Sequence, residues 1–212
     1  MTTWELQEKI HSAIKEKLHV GMTEKEAGGI ISEICPDWQG DLISGERTGA
    51  IEGGPTDKII QSGDIVLFDL QVFSEGHWSD LTRVYFMGNP TEKQMTSFSK
   101  VCSALSAGEA LLAPGTKGKE LWIKMRETID SPNAFDHHGG HCLGTEEIVI
   151  WPRFVPECED VLESGMIVTL EPAIYFSGEF GIRLENNYLI TEDGFQRLDN
   201  LSLDESEYIL KG

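Results

Sequence analysis

Two strand segments of this chain carry the same local pattern, and this internal repeat constrains the fold more than any other feature. Residues 62–69 are Ser-Gly-Asp-Ile-Val-Leu-Phe-Asp, and residues 164–171 are Ser-Gly-Met-Ile-Val-Thr-Leu-Glu. Each segment begins with a Ser-Gly turn, continues as a β-rich strand and ends in a carboxylate. Because Ser-Gly turns before strands are common, chance similarity is the alternative explanation.

A second match lies upstream of each strand. Val20-Gly21-Met22-Thr23 is followed by Glu26, and Pro114-Gly115-Thr116 is followed by Glu120. The turns are 94 residues apart and the strands 102 residues apart, so a helix–turn–helix–strand unit recurs at a similar offset. This duplication predicts two halves related by a pseudo-two-fold axis, with matching carboxylates facing each other across the middle.

Four carboxylates and one imidazole, each at a defined place in these segments, form a candidate dinuclear metal site. The five residues are Asp69, Asp80, His141, Glu171 and Glu185. Taken singly, each residue is explained more readily without a metal: Asp80 by pairing with Arg83, Glu185 by pairing with Arg183, and the histidine by a place in a loop. Carboxylates at the ends of buried strands are costly to desolvate unless a cation compensates them. Together they therefore favour two divalent ions bridged by carboxylates.

Hydrophobic periodicity and capping signals predict a single α+β domain over residues 1–212. The capping-box pair Thr23 and Glu26 marks the second helix, and Thr91 caps the third. We expect helices at about 4–18, 24–34, 91–112 and 117–129, and strands at about 64–73, 78–87, 166–175 and 182–190, with loop and short strand over 40–60. The helices should pack outside a curved, mostly antiparallel sheet, with the acids at inner strand positions lining its cavity.

Composition excludes several classes of function. The net charge of −19 argues against nucleic acid and anionic membrane partners, because phosphate binding requires a cationic surface. No run of eighteen apolar residues predicts a membrane span, and residues 1–5 lack the features of a secretory signal. The four cysteines are widely spaced without a CxxC motif, which favours free thiols and a cytoplasmic location.

Several motifs around the candidate ligands resemble those of the pita-bread metalloenzymes, the family of methionine aminopeptidase, aminopeptidase P, prolidase and creatinase. They are Pro55-Thr56-Asp57, Asp80-Leu81-Thr82-Arg83, Gly140-His141, Glu171-Pro172 and Ile182-Arg183-Leu184-Glu185-Asn186. The similarity runs from the first helix to Ile190 and is greatest to aminopeptidase P and prolidase. It implies the pita-bread fold and a catalytic domain alone, without the amino-terminal domain of aminopeptidase P.

The resemblance also implies roles for the ligands and a cofactor. Asp69 would hold one ion and His141 with Glu171 the other, while Asp80 and Glu185 would bridge both. Glu171 would also accept a proton from the attacking water, whose pKa two shared ions lower. Oxygen-rich coordination favours manganese, with iron, cobalt or zinc as possible ions. The implied substrate is a small peptide or another small molecule, and relatives are often homodimers.

Two positions depart from the peptidase pattern. Glu52 and Ile148 stand where the peptidases have catalytic histidines that face the substrate, unless a local insertion turns Glu146 or Glu147 inward. Isoleucine cannot transfer a proton, and an ionised Glu52 would repel a developing oxyanion. Three functions therefore remain open: a hydrolase of Xaa-Pro-like peptides or related C–N bonds, a creatinase-like enzyme for a non-peptide small molecule, and an inactive binding module.

Other polar side chains are candidates to replace the missing histidines. His77 precedes Asp80 by three residues and is a candidate acid or base, with a solvent-facing histidine as the alternative. His137 matches a substrate-binding histidine of the aminopeptidase P type, whereas His138 is expected to be a loop residue. Arg183 is expected either to bind a substrate carboxylate or to neutralise the carboxylate cluster.

Overall fold

The computed structural model describes residues 1–211 and has an α+β architecture, as predicted. Its α-helices are Thr3–Lys17 (α1), Glu24–Ser32 (α2), Glu92–Glu109 (α3) and Gly118–Ile129 (α4). Its strands are Gln39–Ser44 (β1), Ile65–Ser74 (β2), His77–Met87 (β3), His141–Leu143 (β4), Val149–Arg153 (β5), Ile167–Leu170 (β6), Ala173–Phe176 (β7), Phe180–Arg183 (β8), Asn186–Ile190 (β9), Phe195–Arg197 (β10) and Ile209–Leu210 (β11). None of the described helices combines the length and apolar character that crossing a bilayer requires.

The four expected helices are confirmed, and their first turns show why they begin where they do. The side chain of Thr23 accepts a hydrogen bond from the backbone N–H of Glu26, whose carboxylate accepts one from the backbone of Thr23. Thr91 and Gln94 form the same capping box at α3. These boxes satisfy backbone donors that a helix start leaves without partners.

The strands form two main sheets and a two-stranded ribbon. The first sheet has the order β1-β2-β3-β11, the second has the order β10-β9-β6-β4-β5, and β7 pairs with β8. Every recorded strand pair is antiparallel except β11 with β3. Helix α1 packs on β2 and β3, and α3 packs on β6 and α4. The helices thus lie against the sheets as the sequence predicted.

The internal repeat is visible in the backbone hydrogen bonds of the matching segments. Four glycines occupy equivalent turns and have φ between 89° and 98°, a left-handed conformation that favours glycine. Their N–H groups donate equivalent bonds in the two halves: Gly21 to Ile60 (2.9 Å) and Gly115 to Leu162 (2.8 Å), Gly63 to Met87 (2.7 Å) and Gly165 to Ile190 (2.8 Å). Conserved local geometry at both offsets supports duplication over chance similarity.

The expectation of continuous strands at 166–175 and 182–190 is wrong, because each segment breaks at a candidate ligand. Glu171 lies between β6 and β7, and Glu185 lies between β8 and β9. Pro172 has no N–H to continue a ladder. The N–H of Glu171 instead donates to the carbonyl of Gly139, and that of Glu185 donates to Thr82. The breaks lead the chain from one sheet into the ribbon and place both acids in the gaps.

A fully buried arginine connects the end of the chain to the back of the site. Arg83 donates from Nη1 to the carbonyl of Glu185 (2.6 Å) and from Nε to the hydroxyl of Tyr208 (3.1 Å). Its Nη2 donates to Asn186 and lies 3.4 Å from the carboxylate of buried Asp199. Arg83 therefore does not pair with Asp80, which removes one alternative explanation of that carboxylate.

Candidate metal centre

A cavity of about 200 Å³ is lined by all five predicted ligands. Strand register explains the first two. In β2 and β3, Asp69 lies opposite Thr82 and Gln71 lies opposite Asp80, so both acids project from the same face of the sheet. His141 begins β4 directly after Gly140, where a Cβ atom would lie 2.1 Å from the carbonyl oxygen of Thr169. The glycine therefore permits the close approach that brings the histidine inward.

The chemistry of the donor atoms fits divalent cations. Each of the four acids has one buried oxygen without a hydrogen-bond partner: Asp69 Oδ1, Asp80 Oδ1, Glu171 Oε1 and Glu185 Oε1. The imidazole of His141 contacts the carbonyl of Cys142 through Nδ1 (2.9 Å), which leaves Nε2 as the inward atom, 3.5 Å from Asp80 Oδ2. Buried oxygens without partners are costly, and bound cations would compensate them.

Donor atoms of Asp80, His141 and Glu185 lie within 4.8 Å of one another, as do those of His137, His138 and Glu171. The second group includes two histidines outside the predicted ligand set. Asp69 belongs to neither group and contacts Arg183 instead. The structure therefore brings all five predicted ligands to one cavity. Within it, Asp69 contacts Arg183, whereas Glu171 lies beside His137 and His138.

The electrostatics of the four acids differ. Burial, with the nearby charge of Asp69, raises the pKa of Asp80 well above its usual value. Burial and the charge of Asp80 do the same to the pKa of Glu185. For Glu171, burial opposes ionisation, but contact with His138 outweighs it and lowers the pKa to about 2. In the metal-free protein, ionisation of Asp80 and Glu185 is thus unfavourable, and bound cations would remove this penalty.

Arg183 is fully engaged within the protein. Its Nη2 donates to Asp69 Oδ2 (2.6 Å), and its Nη1 donates to the carbonyl of Ile51 and the hydroxyl of Tyr175 (both 2.8 Å). Although burial opposes its charge, Tyr175 and Asp69 raise the pKa of Arg183 well above its usual value. The expectation that Arg183 binds a substrate carboxylate does not fit these contacts, whereas neutralisation of the carboxylate cluster does. Arg183 also does not pair with Glu185.

Two neighbouring histidines line the cavity in different ways. Both ring nitrogens of His137 have partners: Nδ1 contacts the carbonyl of His138 (2.6 Å) and Nε2 the hydroxyl of Tyr175 (3.1 Å). Burial lowers the pKa of His137, so a neutral ring is favoured. His138, which the sequence assigned to a loop role, has Nδ1 2.8 Å from Glu171 Oε1. Neither atom has an aligned hydrogen bond, so this pair is a close contact and not a hydrogen bond.

Sequence reasoning missed two further residues of the cavity wall. Asp41 lies opposite Asp69 in the β1–β2 register, and its carboxylate is 3.6 Å from Arg183. Burial, together with the charges of Asp69 and Glu52, raises the pKa of Asp41. Gln71 donates to Asp80 Oδ2 at 3.1 Å. Strand alternation identifies Gln71, because it follows Asp69 by two residues, but Asp41 had no signal before its strand partner was known.

The two substituted positions are located differently. Glu52 lines the cavity, with its residue exposed at the mouth, whereas Ile148 does not line it and Val149 does. The alternative that Glu146 or Glu147 turns into the cavity does not occur, because neither is part of its wall. The cavity thus presents Glu52 where a peptidase histidine was expected, and no acid replaces Ile148.

The expectation that His77 acts as an acid or base at the metals is wrong. His77 precedes Asp80 by three residues within one strand, and an odd separation places the two side chains on opposite faces. The histidine is exposed, its Nδ1 is 3.1 Å from the carbonyl of Glu75, and it borders a different cavity beside Thr2 and Thr3. The alternation of side chains along a strand is enough to predict that His77 points away from the metal cavity.

Most of this chain is similar to known metallopeptidases. A model of metallopeptidase family M24 matches residues 2–192. The Xaa-Pro dipeptidase of Pyrococcus furiosus is 34% identical over 204 residues, which cover 92% of this chain and 58% of the dipeptidase. An uncharacterized peptidase of Bacillus subtilis is 36% identical over 156 residues, which cover 72% of this chain and 44% of that peptidase.

Solved structures are similar over nearly the whole chain. The prolidase from Pyrococcus furiosus superposes with a TM-score of 0.88 at 32% identity, covering 94% of this chain and 62% of the prolidase. An X-Pro aminopeptidase from Thermotoga maritima superposes with a TM-score of 0.90 at 26% identity, covering 99% of this chain and 61% of that enzyme. The chain spans less than two thirds of the length of these relatives. The expected pita-bread fold is confirmed, and the chain belongs to metallopeptidase family M24.

Proposed function

We propose that this protein is a hydrolase that binds two divalent ions and cleaves the bond after the first residue of Xaa-Pro peptides. The observation that carries the proposal is the convergence of four buried carboxylate oxygens without partners and the free Nε2 of His141 in one cavity. Manganese is the proposed metal, because the donor set is mostly oxygen. The similar proteins include an Xaa-Pro dipeptidase and an X-Pro aminopeptidase, which supports this substrate class.

The protein residues have separable tasks in this reaction. When bound, the two ions would acidify a water molecule and polarise the substrate carbonyl. Glu171 stays ionised because its pKa is about 2, so its carboxylate is available to accept the proton of that water. His138, 2.8 Å from Glu171, is placed to carry the proton on to the leaving amine. Arg183 holds Asp69 in position and compensates its charge.

A second candidate function is hydrolysis of a non-peptide small molecule, as in creatinase. One observation favours it: Glu52 lines the cavity where the peptidases carry a histidine, and its carboxylate opposes an oxyanion. In the peptidase proposal, His138 supplies the proton transfer that Glu52 and Ile148 cannot. A homodimer and a cytoplasmic location remain proposals alongside the metal.

The test is turnover by the manganese-loaded protein. Ala-Pro-Ala, Ala-Ala-Ala and creatine would be compared by amine release, with Asp80→Ala as the variant that loses metal. Cleavage of Ala-Pro-Ala alone, absent in Asp80→Ala, supports the peptidase function. Turnover of creatine without peptide cleavage would replace it with the second function.

The proton-transfer role of His138 needs its own variant. His138→Gln should lower kcat about 10²-fold at equal metal content and alter the pH profile, because general acid–base help is lost. The exposed His19 offers a matched control, and His19→Gln should behave like the unmodified protein. An unchanged kcat and pH profile in His138→Gln would remove this residue from the mechanism.

A further inference from the structure

A second cavity, of about 490 Å³, has an aromatic floor. Phe73 of β2 and Trp78 of β3 are directly paired across the two strands, and their ring centroids are 5.1 Å apart. Phe73 is 48% exposed, which is high for a large apolar side chain. Thr145 and Glu146, from the β4–β5 connection, form part of the opposite wall, and Asp37 also lines the cavity. We call Phe73 and Trp78 the aromatic shelf.

The aromatic shelf continues the face that carries the metal ligands. On each of three adjacent strands, one residue lines the metal cavity and the residue two positions away lines the second cavity. The pairs are Asp41 and Gln39 on β1, Gln71 and Phe73 on β2, and Asp80 and Trp78 on β3. Residues two apart share a face, and the step between them is about 7 Å. Phe73 and Trp78 form the row next to Gln71 and Asp80, and Gln39 lies opposite Gln71, so the two cavities adjoin on one sheet surface.

The wall of the metal cavity offers no free ammonium or guanidinium group for the carboxylate of a dipeptide. Among its wall residues in the described chain, Arg183 is the only lysine or arginine, and its donors are taken by Asp69, Ile51 and Tyr175. The wall presents the carboxylates of Asp41 and Glu52 instead. A free carboxylate two residues from the metals would be repelled, whereas a peptide that continues past the cavity carries no charge there.

We propose that the two cavities form one groove, which selects tripeptides and longer peptides by binding an apolar third residue on the aromatic shelf. This inference rests on the proposed function. An enzyme that removes the first residue of a peptide has no substrate residues before it, so a side chain two positions away can belong only to the third residue. In an extended peptide, side chains two residues apart share a side and are separated by about 7 Å, the same step as between Asp80 and Trp78. An aromatic or long aliphatic side chain on the third residue would cover the exposed rings.

The experiment compares three substrates of the manganese-loaded full chain: Ala-Pro, Ala-Pro-Ala and Ala-Pro-Phe. We expect kcat/KM to increase in that order, with Ala-Pro-Phe about 5- to 10-fold above Ala-Pro-Ala, the range of an aromatic contact. Phe73→Ala should bring the Phe-to-Ala ratio close to one. Phe195→Ala removes a comparably exposed phenylalanine on β10, outside both cavities, and should leave the ratio unchanged.

Equal kcat/KM for Ala-Pro and the tripeptides, or a ratio that survives Phe73→Ala, would overturn the inference while leaving the proposed function intact. Failure of the function is recognised separately, by calorimetric titration of the same peptides into the metal-loaded protein. If no peptide is cleaved but Ala-Pro-Phe binds more tightly than Ala-Pro-Ala, and Phe73→Ala removes the difference, the groove stands and the peptidase function fails. Equal binding of all three peptides would again overturn the groove.

Discussion

The two sides of the metal cavity carry matching sequence segments but differ in how they compensate negative charge. Asp69 and Glu171 are equivalent in the repeat, 102 residues apart, and both lie at the metal cavity. Asp69 contacts the guanidinium of Arg183 at 2.6 Å, whereas Glu171 contacts the imidazole of His138 at 2.8 Å. Arginine stays charged at every physiological pH, whereas an imidazole can also be neutral. The matching acids therefore have different partners, a permanent cation on the side of Asp69 and a proton-carrying ring on the side of Glu171.

Tyr175 connects these two sides. Its hydroxyl accepts from Arg183 Nη1 at 2.8 Å and lies 3.1 Å from Nε2 of His137, the neighbour of His138. Burial raises the pKa of Tyr175 to about 12, so it remains a neutral hydroxyl. Substitutions, metal and pH should affect the side of Asp69 and Arg183 differently from the side of Glu171 and His138.

The largest effect is expected from Arg183→Met. Removing a buried guanidinium leaves Asp69 and Asp41 without their cation, so the metal-free protein should lose about 3–5 kcal/mol of unfolding free energy. Urea denaturation in the presence of a chelator measures this loss. Arg183→Lys keeps the charge and should lose less, and His138→Met should cost less than either. Equal losses at Arg183 and His138 would contradict the difference between the two sides.

Each bound ion should stabilise the protein by about 2.7 kcal/mol at a free concentration one hundred times its dissociation constant. The substitution Asp80→Asn should raise the stability of the metal-free protein and lower that of the metal-loaded protein. It relieves repulsion in the metal-free protein, since the pKa of Asp80 is raised by burial and by Asp69, and it removes the gain from metal. Thermal unfolding with and without manganese measures both effects, and elemental analysis should give two ions per chain only before substitution. A destabilised metal-free Asp80→Asn protein would contradict this account.

The pH dependence of the metal-free protein should carry two opposite signs. Asp80 and Glu185 have raised pKa values, so their contribution to stability is present below the unfolded value of about 4 and is lost as pH rises through the folded values. Glu171, with a pKa of about 2, contributes stability above an unfolded value of about 4, and this is lost as pH falls towards 2.

Each unit of pKa shift corresponds to about 1.4 kcal/mol, so the stability of the chelated protein should have a maximum on the acidic side of neutrality. Urea midpoints between pH 3 and about 8 test this, and Glu171→Gln should remove only the acidic limb. Saturating manganese should remove the decline above the maximum, because bound cations hold the acids ionised. A metal-free stability that rises steadily to pH 8 would show that the cluster is not strained by its own charge.

The smallest effect is expected from Tyr175→Phe, at about 1 kcal/mol, the usual value of a buried hydrogen bond. A double-mutant cycle with His138→Gln tests whether Tyr175 transmits between the sides. Additive losses would show that the hydroxyl serves only Arg183. A coupling above about 0.5 kcal/mol would show that the two sides act as a unit.

Much of this architecture could be predicted from local patterns. The capping boxes located α2 and α3, and the repeated Ser-Gly turns located the starts of β2 and β6. The expectation that a carboxylate ends each strand is correct for Glu171, which directly follows β6, but wrong for Asp69, because β2 continues to Ser74. These features depend on residues close in sequence, where backbone sterics and hydrogen bonding dominate.

The remaining features required information about pairing. The place of Asp41 in the cavity wall follows from its pairing with Asp69 in the sheet, which the sequence alone does not show. The partners of Arg183, the carbonyl of Ile51 and the hydroxyl of Tyr175, likewise come from distant parts of the chain. The role of His138 depended on a 2.8 Å contact with Glu171 that no spacing reveals. The error at His77 had another origin, since an odd separation within a strand was enough to exclude it.

The anchoring of Arg83 has a consequence for the order in which the protein matures. This arginine supports the carbonyl of Glu185 while it is itself tied to Asp199 and Tyr208. Synthesis adds those two anchors after every residue of the metal centre. A nascent chain that carries all the acids, but has not yet been extended through residue 208, therefore lacks the brace behind one of them. Metal affinity therefore depends on residues that follow the last predicted ligand, and a released chain that stops before Asp199 would hold its ions less tightly than a chain extended through residue 208.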